Sequence, residues 1–154
     1  MALPNMMRHK PGKGKQFNVL GDLVSLKMSG ADNGDAVSVF EIMVQPLGGP
    51  PPHSHLREDE AYYVLDGKFI FTMGETKSEA EPGTFIHFPR GVLHGYQNAG
   101  TEQGKLLAIY WPAGIEHYFE ELDRLSKNET LETEQILEVA KYHSIVTPPS
   151  ALNG

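Results

Sequence analysis

The chain has 154 residues and a net charge of −7, with 13 Lys and Arg against 20 Asp and Glu. This length suits one domain, and a hydrophobic content of 40% lies well above that of disordered chains. The acidic balance argues against a nucleic-acid partner, and the absence of cysteine excludes disulfides, thiolate metal sites and a thiol nucleophile.

Neither a secretory signal nor a membrane helix is predicted. Residues 1–7 lack the apolar core of a secretory signal, and no stretch approaches the roughly 18 consecutive apolar residues that a membrane helix needs. We therefore expect a cytoplasmic protein without a membrane partner.

Three segments follow one another along the chain. Residues 1–15 are predicted to form an N-terminal arm, because residues 8–15 are basic, rich in glycine and without periodicity. Residues 16–112 are predicted to form an all-β domain, and residues 113–154 a helical extension.

Short apolar segments separated by turns fill residues 16–112. The dipeptide Asp66-Gly67 joins two of them and is typical of a β-hairpin. Strands at roughly ten-residue spacing indicate an antiparallel sandwich or barrel, and the absence of an intervening helical period argues against a parallel α/β sheet. The predicted strands are residues 24–28, 37–44, 62–65, 68–72, 84–88 and 106–111.

A helical period replaces the strand pattern after residue 113. Ile115, Phe119 and Leu122 form an apolar stripe that suits packing on the barrel wall. Thr133 is the predicted N-cap of a second helix. A lid over the open end of the barrel and a dimer contact are alternative roles for these helices.

The residues with chemical potential lie in two stretches of the β domain. On an extended strand His53 and His55 point to the same face about 7 Å apart, close enough to share an ion. Glu60 can return to the same side after a short turn, and His94 is positioned to reach back to this group. Imidazole and carboxylate ligands suit one divalent transition metal, with Fe, Mn, Ni, Co, Cu and Zn all possible.

These residues follow the two motifs of the cupin family, which the chain resembles over residues 35–112. The first motif, G-x5-H-x-H-x3,4-E-x6-G, is matched by His53, His55, Glu60 and Gly67, although four residues instead of five lie between Gly48 and His53. The second motif, G-x5-P-x-G-x2-H-x3-N, is matched at every spacing by Gly83, Pro89, Gly91, His94 and Asn98.

The resemblance implies an antiparallel jelly-roll barrel, also called a double-stranded β-helix, with a metal held by His53, His55, Glu60 and His94. Family members are usually homodimers. The chain looks most similar to small quercetin-dioxygenase-like cupins, which suggests a dioxygenase acting on a small aromatic, enol or diketone substrate. Two alternatives stay open: a non-catalytic metal- or small-molecule-binding cupin, and a non-oxidative isomerase, decarboxylase or cyclase.

Further roles are assigned around this expected metal site. Glu60 is the candidate catalytic residue, since a carboxylate beside a metal can be a ligand or a general base. The expected substrate contacts are Tyr62, Tyr96, Phe71 and His87. Glu58 and Asp59 are expected to be solvated and to help orient the ligands. Few inward-facing basic residues are evident, which argues against a sugar-phosphate substrate.

Overall fold

Antiparallel strands and two later helices make up the protein in its computed structural model, which describes residues 6–152. This confirms the predicted fold class. Residues 1–5 of the predicted arm lie outside the described residues, and the first strand begins at Lys15. The elements are β1 (Lys15–Val19), β2 (Asp22–Met28), β3 (Ser38–Val44), β4 (Ser54–His55), β5 (Asp59–Asp66), β6 (Phe69–Met73), β7 (Thr76–Ala80), β8 (Phe85–Phe88), β9 (His94–Asn98), β10 (Gly104–Trp111), α1 (Glu116–Ser126), α2 (Thr133–Tyr142) and β11 (Ile145–Val146).

Two layers of antiparallel strands enclose the core. One sheet has the order β1-β2-β3-β10-β5-β8, and the other contains β7-β6-β9. The short pair β11-β4 adjoins β9 through a bridge between His53 and His94. Every second side chain along the strands points into the space between the layers and fills it. In β10 these buried side chains are Leu106, Ala108 and Tyr110.

The predicted hairpin at Asp66-Gly67 is wrong. β5 pairs with β10 and β8, whereas β6 pairs with β7 and β9. Gly67 therefore carries the chain from one sheet to the other, with a φ of 90°. The dipeptide supplies a sharp turn, but long-range strand pairing decides which strands lie side by side.

The two helices pack on the barrel. The Phe119 ring of α1 meets those of Phe40 and Tyr110 at centroid distances of 5.0 and 6.2 Å. The N-cap of α2 is Glu132 and not Thr133, because the Glu132 N–H donates to Gln135 Oε1 over 2.7 Å. Within the described residues, neither helix is long and apolar enough to span a membrane.

Leu47 occupies a backbone conformation that suits glycine. Five residues separate it from His53, so it stands where the first cupin motif has its glycine. Its φ is 63°, in the left-handed region that a Cβ disfavours. Leucine thus occupies a conformation that favours glycine at the motif's glycine position, and its side chain is 75% exposed.

We expect Leu47→Gly to raise the free energy of unfolding by about 0.5–1 kcal/mol, because relief of the left-handed strain exceeds the entropy that glycine loses on folding. Urea unfolding measures the change. The matched control is Leu56→Gly, at a leucine that is also exposed but has no positive φ, and it should lower stability. Equal losses in the two variants would contradict the strain argument.

Candidate metal centre

Four predicted ligands meet where the two sheets come together. His53 and His94 exchange both backbone hydrogen bonds, with N–H to O=C distances of 2.8 and 2.9 Å. His55 lies at the end of β4, and Glu60 enters from β5 in the other sheet. Gly49 allows the preceding loop to pass close to β9, since a Cβ there would lie 2.0 Å from the Tyr96 carbonyl oxygen.

The side chains of these four residues converge on one point. His53 Nε2 lies 3.0 Å from His55 Nε2, and Glu60 Oε2 lies 2.7 Å from His94 Nε2 and 3.2 Å from His55 Nε2. One ligand atom from each residue falls within 4.8 Å of all the others, and all four residues are buried. The spacing of the two motifs thus predicted a cluster that could hold a metal ion.

Local contacts orient two of the imidazoles. His53 Nδ1 lies 2.9 Å from the Pro51 carbonyl, and His94 Nδ1 lies 2.9 Å from the Val92 carbonyl. Because a carbonyl only accepts, each Nδ1 is the donor and each Nε2 faces the centre. This arrangement is typical of histidines that ligate metals.

Glu58 stands behind the third imidazole and is buried, contrary to the expectation that it is solvated. Its Oε2 lies 3.4 Å from His55 Nδ1, and both atoms are buried without a hydrogen-bond partner among residues 6–152. A carboxylate beside the outer nitrogen of a metal-binding histidine fixes the ring and increases its basicity. The pair therefore fits an ion at the centre, whose charge would compensate the buried carboxylates.

Burial and mutual contacts set the protonation of the cluster. Burial alone would raise the pKa of Glu60, but the charges of His55 and His94 and the His94 hydrogen bond lower it to about 2. Burial and the neighbouring His55 lower the pKa of His53 to about 4. Burial would also lower the pKa of His94, yet its hydrogen bond to Glu60 raises it. The site thus offers an ionised carboxylate and a neutral His53, which suits a divalent cation.

His87 does not reach the site, so its assignment as a substrate contact needs correction. It alternates with the inward-facing Phe88 on β8, and its side chain is 41% exposed. It lies 3.3 Å from Asp59 and stacks on Trp111. Asp59 also accepts a hydrogen bond from Arg90 over 2.8 Å. These groups form an ion-pair cluster on the outside of the barrel.

A cavity of about 450 Å³ adjoins the candidate metal centre. Tyr62 and Tyr96 line it, as the alternation along β5 and β9 predicted, and their contact with a substrate stays a prediction. Phe71 does not line the cavity. Its ring lies behind this wall, 5.5 Å from Tyr62 and 5.8 Å from Tyr96 between ring centroids.

Tyr110 is a site residue that the two motifs did not identify. It stands opposite Glu60 in the register of β10 and β5, and its hydroxyl lies 3.3 Å from that of Tyr62. Tyr62 in turn donates to Glu60 Oε1, which leaves Oε2 facing the imidazoles. The inward alternation of Leu106, Ala108 and Tyr110 is the sequence signal that could have revealed this neighbour.

The second helix forms one wall of the cavity. Ile136, Leu137 and Ala140 of α2 line it beside Tyr118 and Phe119 of α1. The apolar stripe on α1 packs on the barrel as expected. Helix α2 instead covers one side of the cavity, which is the position expected for a lid.

A carboxylate lies within the mainly apolar lining. Asp22, at the start of β2, shares the inward face with Val24. Burial raises its pKa to about 6, although the Gln45 backbone N–H opposes this by donating to Oδ1 over 3.4 Å. Among the lining residues in the described part of the chain, Asp22 is the one carboxylate, and none is Lys or Arg. The sequence signal that could have identified Asp22 is its position two residues before the inward-facing Val24.

Part of the chain is similar in sequence to known proteins. Residues 40–110 match the Cupin_2 family model, described as a cupin domain. A stretch of 79 residues, 48% of this chain, is 35% identical to germin-like protein subfamily 2 member 3 of Arabidopsis thaliana and covers 36% of that protein. The chain thus spans about a third of this relative's length.

Solved structures show the same fold. The polyketide cyclase RemF from Streptomyces resistomycificus superposes with a TM-score of 0.61 at 24% identity, over 70% of this chain and 80% of that one. An RmlC-like cupin from Shewanella frigidimarina gives a TM-score of 0.62 at 16% identity, over 73% of this chain and 96% of that one.

Glu58→Gln is expected to weaken metal binding about tenfold, because the buried negative charge behind His55 is lost while the shape is kept. Competition with a chelator measures the metal dissociation constant. Asp59→Asn is the matched control, since it removes the adjacent charge on the outer face and should leave the constant unchanged. Equal constants for Glu58→Gln and the wild type would contradict the role of Glu58.

Asp22→Asn is expected to stabilise the protein above pH 6 and not below pH 4. The folded-state pKa of about 6 exceeds the ordinary 3.8, so the folded state binds the proton more tightly and stability is lost as pH rises through this window. Discounted for partial exposure, the gain at pH 8 is about 1–2 kcal/mol. Urea unfolding at pH 4 and 8 measures it. Asp66→Asn, at an exposed carboxylate, should show no such gain, and an equal gain there would contradict the assignment to Asp22.

Proposed function

We propose, from the match of residues 40–110 to the Cupin_2 family model, that the protein is a metal-dependent oxidoreductase of the dioxygenase type. Its substrate is a small aromatic, enol or diketone molecule. The observation that carries this proposal is the convergence of His53, His55, Glu60 and His94 beside a cavity with aromatic walls.

The donor set fits one divalent transition ion per chain. Three imidazole nitrogens and one carboxylate oxygen would occupy four positions, so a six-coordinate ion would keep two for substrate or dioxygen. When bound, such an ion supplies Lewis acidity and, if it is Fe or Cu, a redox centre.

Glu60 has two tasks in this proposal. Tyr62 holds Oε1 and thereby directs Oε2 towards the imidazoles, which suits a ligand. The low pKa makes Glu60 a weak base in that position. Turned away from the imidazoles, the carboxylate can accept the proton of a substrate hydroxyl.

The tyrosines supply hydrogen bonds to an oxygen-rich substrate. Burial raises the pKa of Tyr96 and of Tyr110 well above the ordinary value, and nearby carboxylates add to this effect. Both hydroxyls therefore stay protonated and can donate to an enolate or phenolate oxygen. The apolar walls exclude water and favour a flat substrate.

The cavity disfavours a sugar phosphate. Phosphate recognition relies on Arg or Lys, and neither lines the cavity in the described residues. Lys68 is exposed and Lys105 is half-buried away from the cavity lining. The homodimer and the cytoplasmic location implied at the outset stay predictions.

Wild-type protein, reconstituted anaerobically with each candidate ion, should bind about one metal per chain and consume oxygen with a flavonol, diketone or catechol. His53→Ala/His94→Ala should lose both properties, because half of the ligands are removed. Elemental analysis and an oxygen electrode measure the two properties. His87→Ala/His117→Ala is the matched control, since both histidines are exposed, and it should keep both properties.

Other outcomes separate the alternatives. Metal and ligand binding without turnover would indicate a binding protein, and conversion without oxygen uptake would indicate a non-oxidative enzyme. A wild-type protein that takes up no metal would overturn the proposal. Circular dichroism confirms that each variant is folded.

A further inference from the structure

We propose that Asp22 is a second substrate-binding point of the cavity, away from the metal centre, and that it accepts a hydrogen bond from a hydroxyl or ammonium group at the far end of the substrate. This inference rests on the proposed function, because it assumes that the near end of the substrate binds at the metal centre. It adds a requirement for the part of the substrate that the metal does not touch.

The sheet order separates Asp22 from the metal ligands. Glu60 lies on β5, and β10 and β3 stand between it and β2. Three strand spacings of about 4.8 Å correspond to roughly 14 Å across the sheet. One cavity nevertheless reaches from Asp22 to His53 and His55. An elongated molecule can therefore touch both ends.

The strand pattern directs Asp22 into the cavity. The tight turn Leu20-Gly21, with φ of 52° and 95°, joins β1 to β2 immediately before it. Leu23 then points outward with 39% exposure, whereas Asp22 and Val24 line the cavity. The direction of the carboxylate follows from its place in β2.

The carboxylate retains hydrogen-bonding capacity. Its one hydrogen bond among the described residues is the 3.4 Å contact from the Gln45 N–H, and no described ion pair includes it. A carboxylate accepts about four hydrogen bonds. Gly48 lies beside it, since a Cβ there would be 3.4 Å from Oδ1. A hydrogen-bond donor of the substrate can therefore bind at one of the remaining acceptor positions.

Charge at this end of the cavity selects the substrate class. Without Lys or Arg in the lining, a distal phosphate or carboxylate would face Asp22 without compensation. A hydroxyl or ammonium group would instead form a hydrogen bond to a charged acceptor. The pKa of Tyr96, raised by burial, is raised further by both Asp22 and Glu60, so its hydroxyl lies in the field of both ends.

The test uses a chelating probe whose far end is varied. The probes are 3-hydroxyflavone and its 3′-hydroxy, 4′-hydroxy and 4′-carboxy derivatives, titrated by absorbance into the Zn²⁺-loaded protein, because zinc has no redox chemistry. The variants are Asp22→Asn and Asp22→Ala. Asp66→Asn is the matched control, since it removes a carboxylate outside the cavity lining. Thermal melting confirms that each variant is folded.

The wild type should bind at least one hydroxylated probe about tenfold more tightly than 3-hydroxyflavone, and the carboxylated probe more weakly. Asp22→Ala should abolish the hydroxyl preference, Asp22→Asn should relieve the rejection of the carboxylate, and Asp66→Asn should retain both. Binding of all probes with equal affinity, or a preference that survives in Asp22→Ala, would overturn this inference and leave the proposed function intact. A wild type that binds neither zinc nor any probe would instead overturn the proposed function.

Discussion

The pair of backbone hydrogen bonds between His53 and His94 is the contact on which the site depends. It attaches the proline-rich segment that carries His53 and His55 to the end of β9. Two ligands that are 41 positions apart thereby become adjacent, and β5 brings Glu60 from the facing sheet. Because backbone groups make this contact, the ligand side chains remain free to face the centre.

The sequence predicted best where short-range periodicity and the chemistry of the site coincide. The alternation around His53 and His55 and the matched second motif identified the four clustered residues. The hairpin at Asp66-Gly67 failed because a turn signal carries no information about which distant strand supplies the partner. The assignment of His87 as a substrate contact failed for a related reason. Neighbouring residues of β8 point to opposite faces of the sheet, and His87 lies on the outer one.

Residues that act through tertiary contacts were harder to identify. Glu58 and Asp59 are adjacent acidic residues, yet one is buried behind His55 and the other lies in an outer ion-pair cluster. Tyr110 lies in a predicted strand and Asp22 lies just before one, but only the tertiary structure places both in the cavity beside the candidate metal centre. Burial of the carboxylates of Glu58 and Glu60 and of the tyrosine hydroxyls here opposes folding, as is common where side chains are arranged for binding.

The cavity is assembled from parts of the chain that lie on both sides of the family domain. The four candidate metal ligands fall within residues 40–110, whereas Asp22 and Val24 precede that span and Ile136, Leu137 and Ala140 follow it. Mutations in the flanking segments can therefore reshape the cavity while the four clustered residues stay unchanged. In evolutionary terms, the β1–β2 hairpin and the terminal helices can diversify the cavity walls of a lineage while the His and Glu cluster is inherited intact.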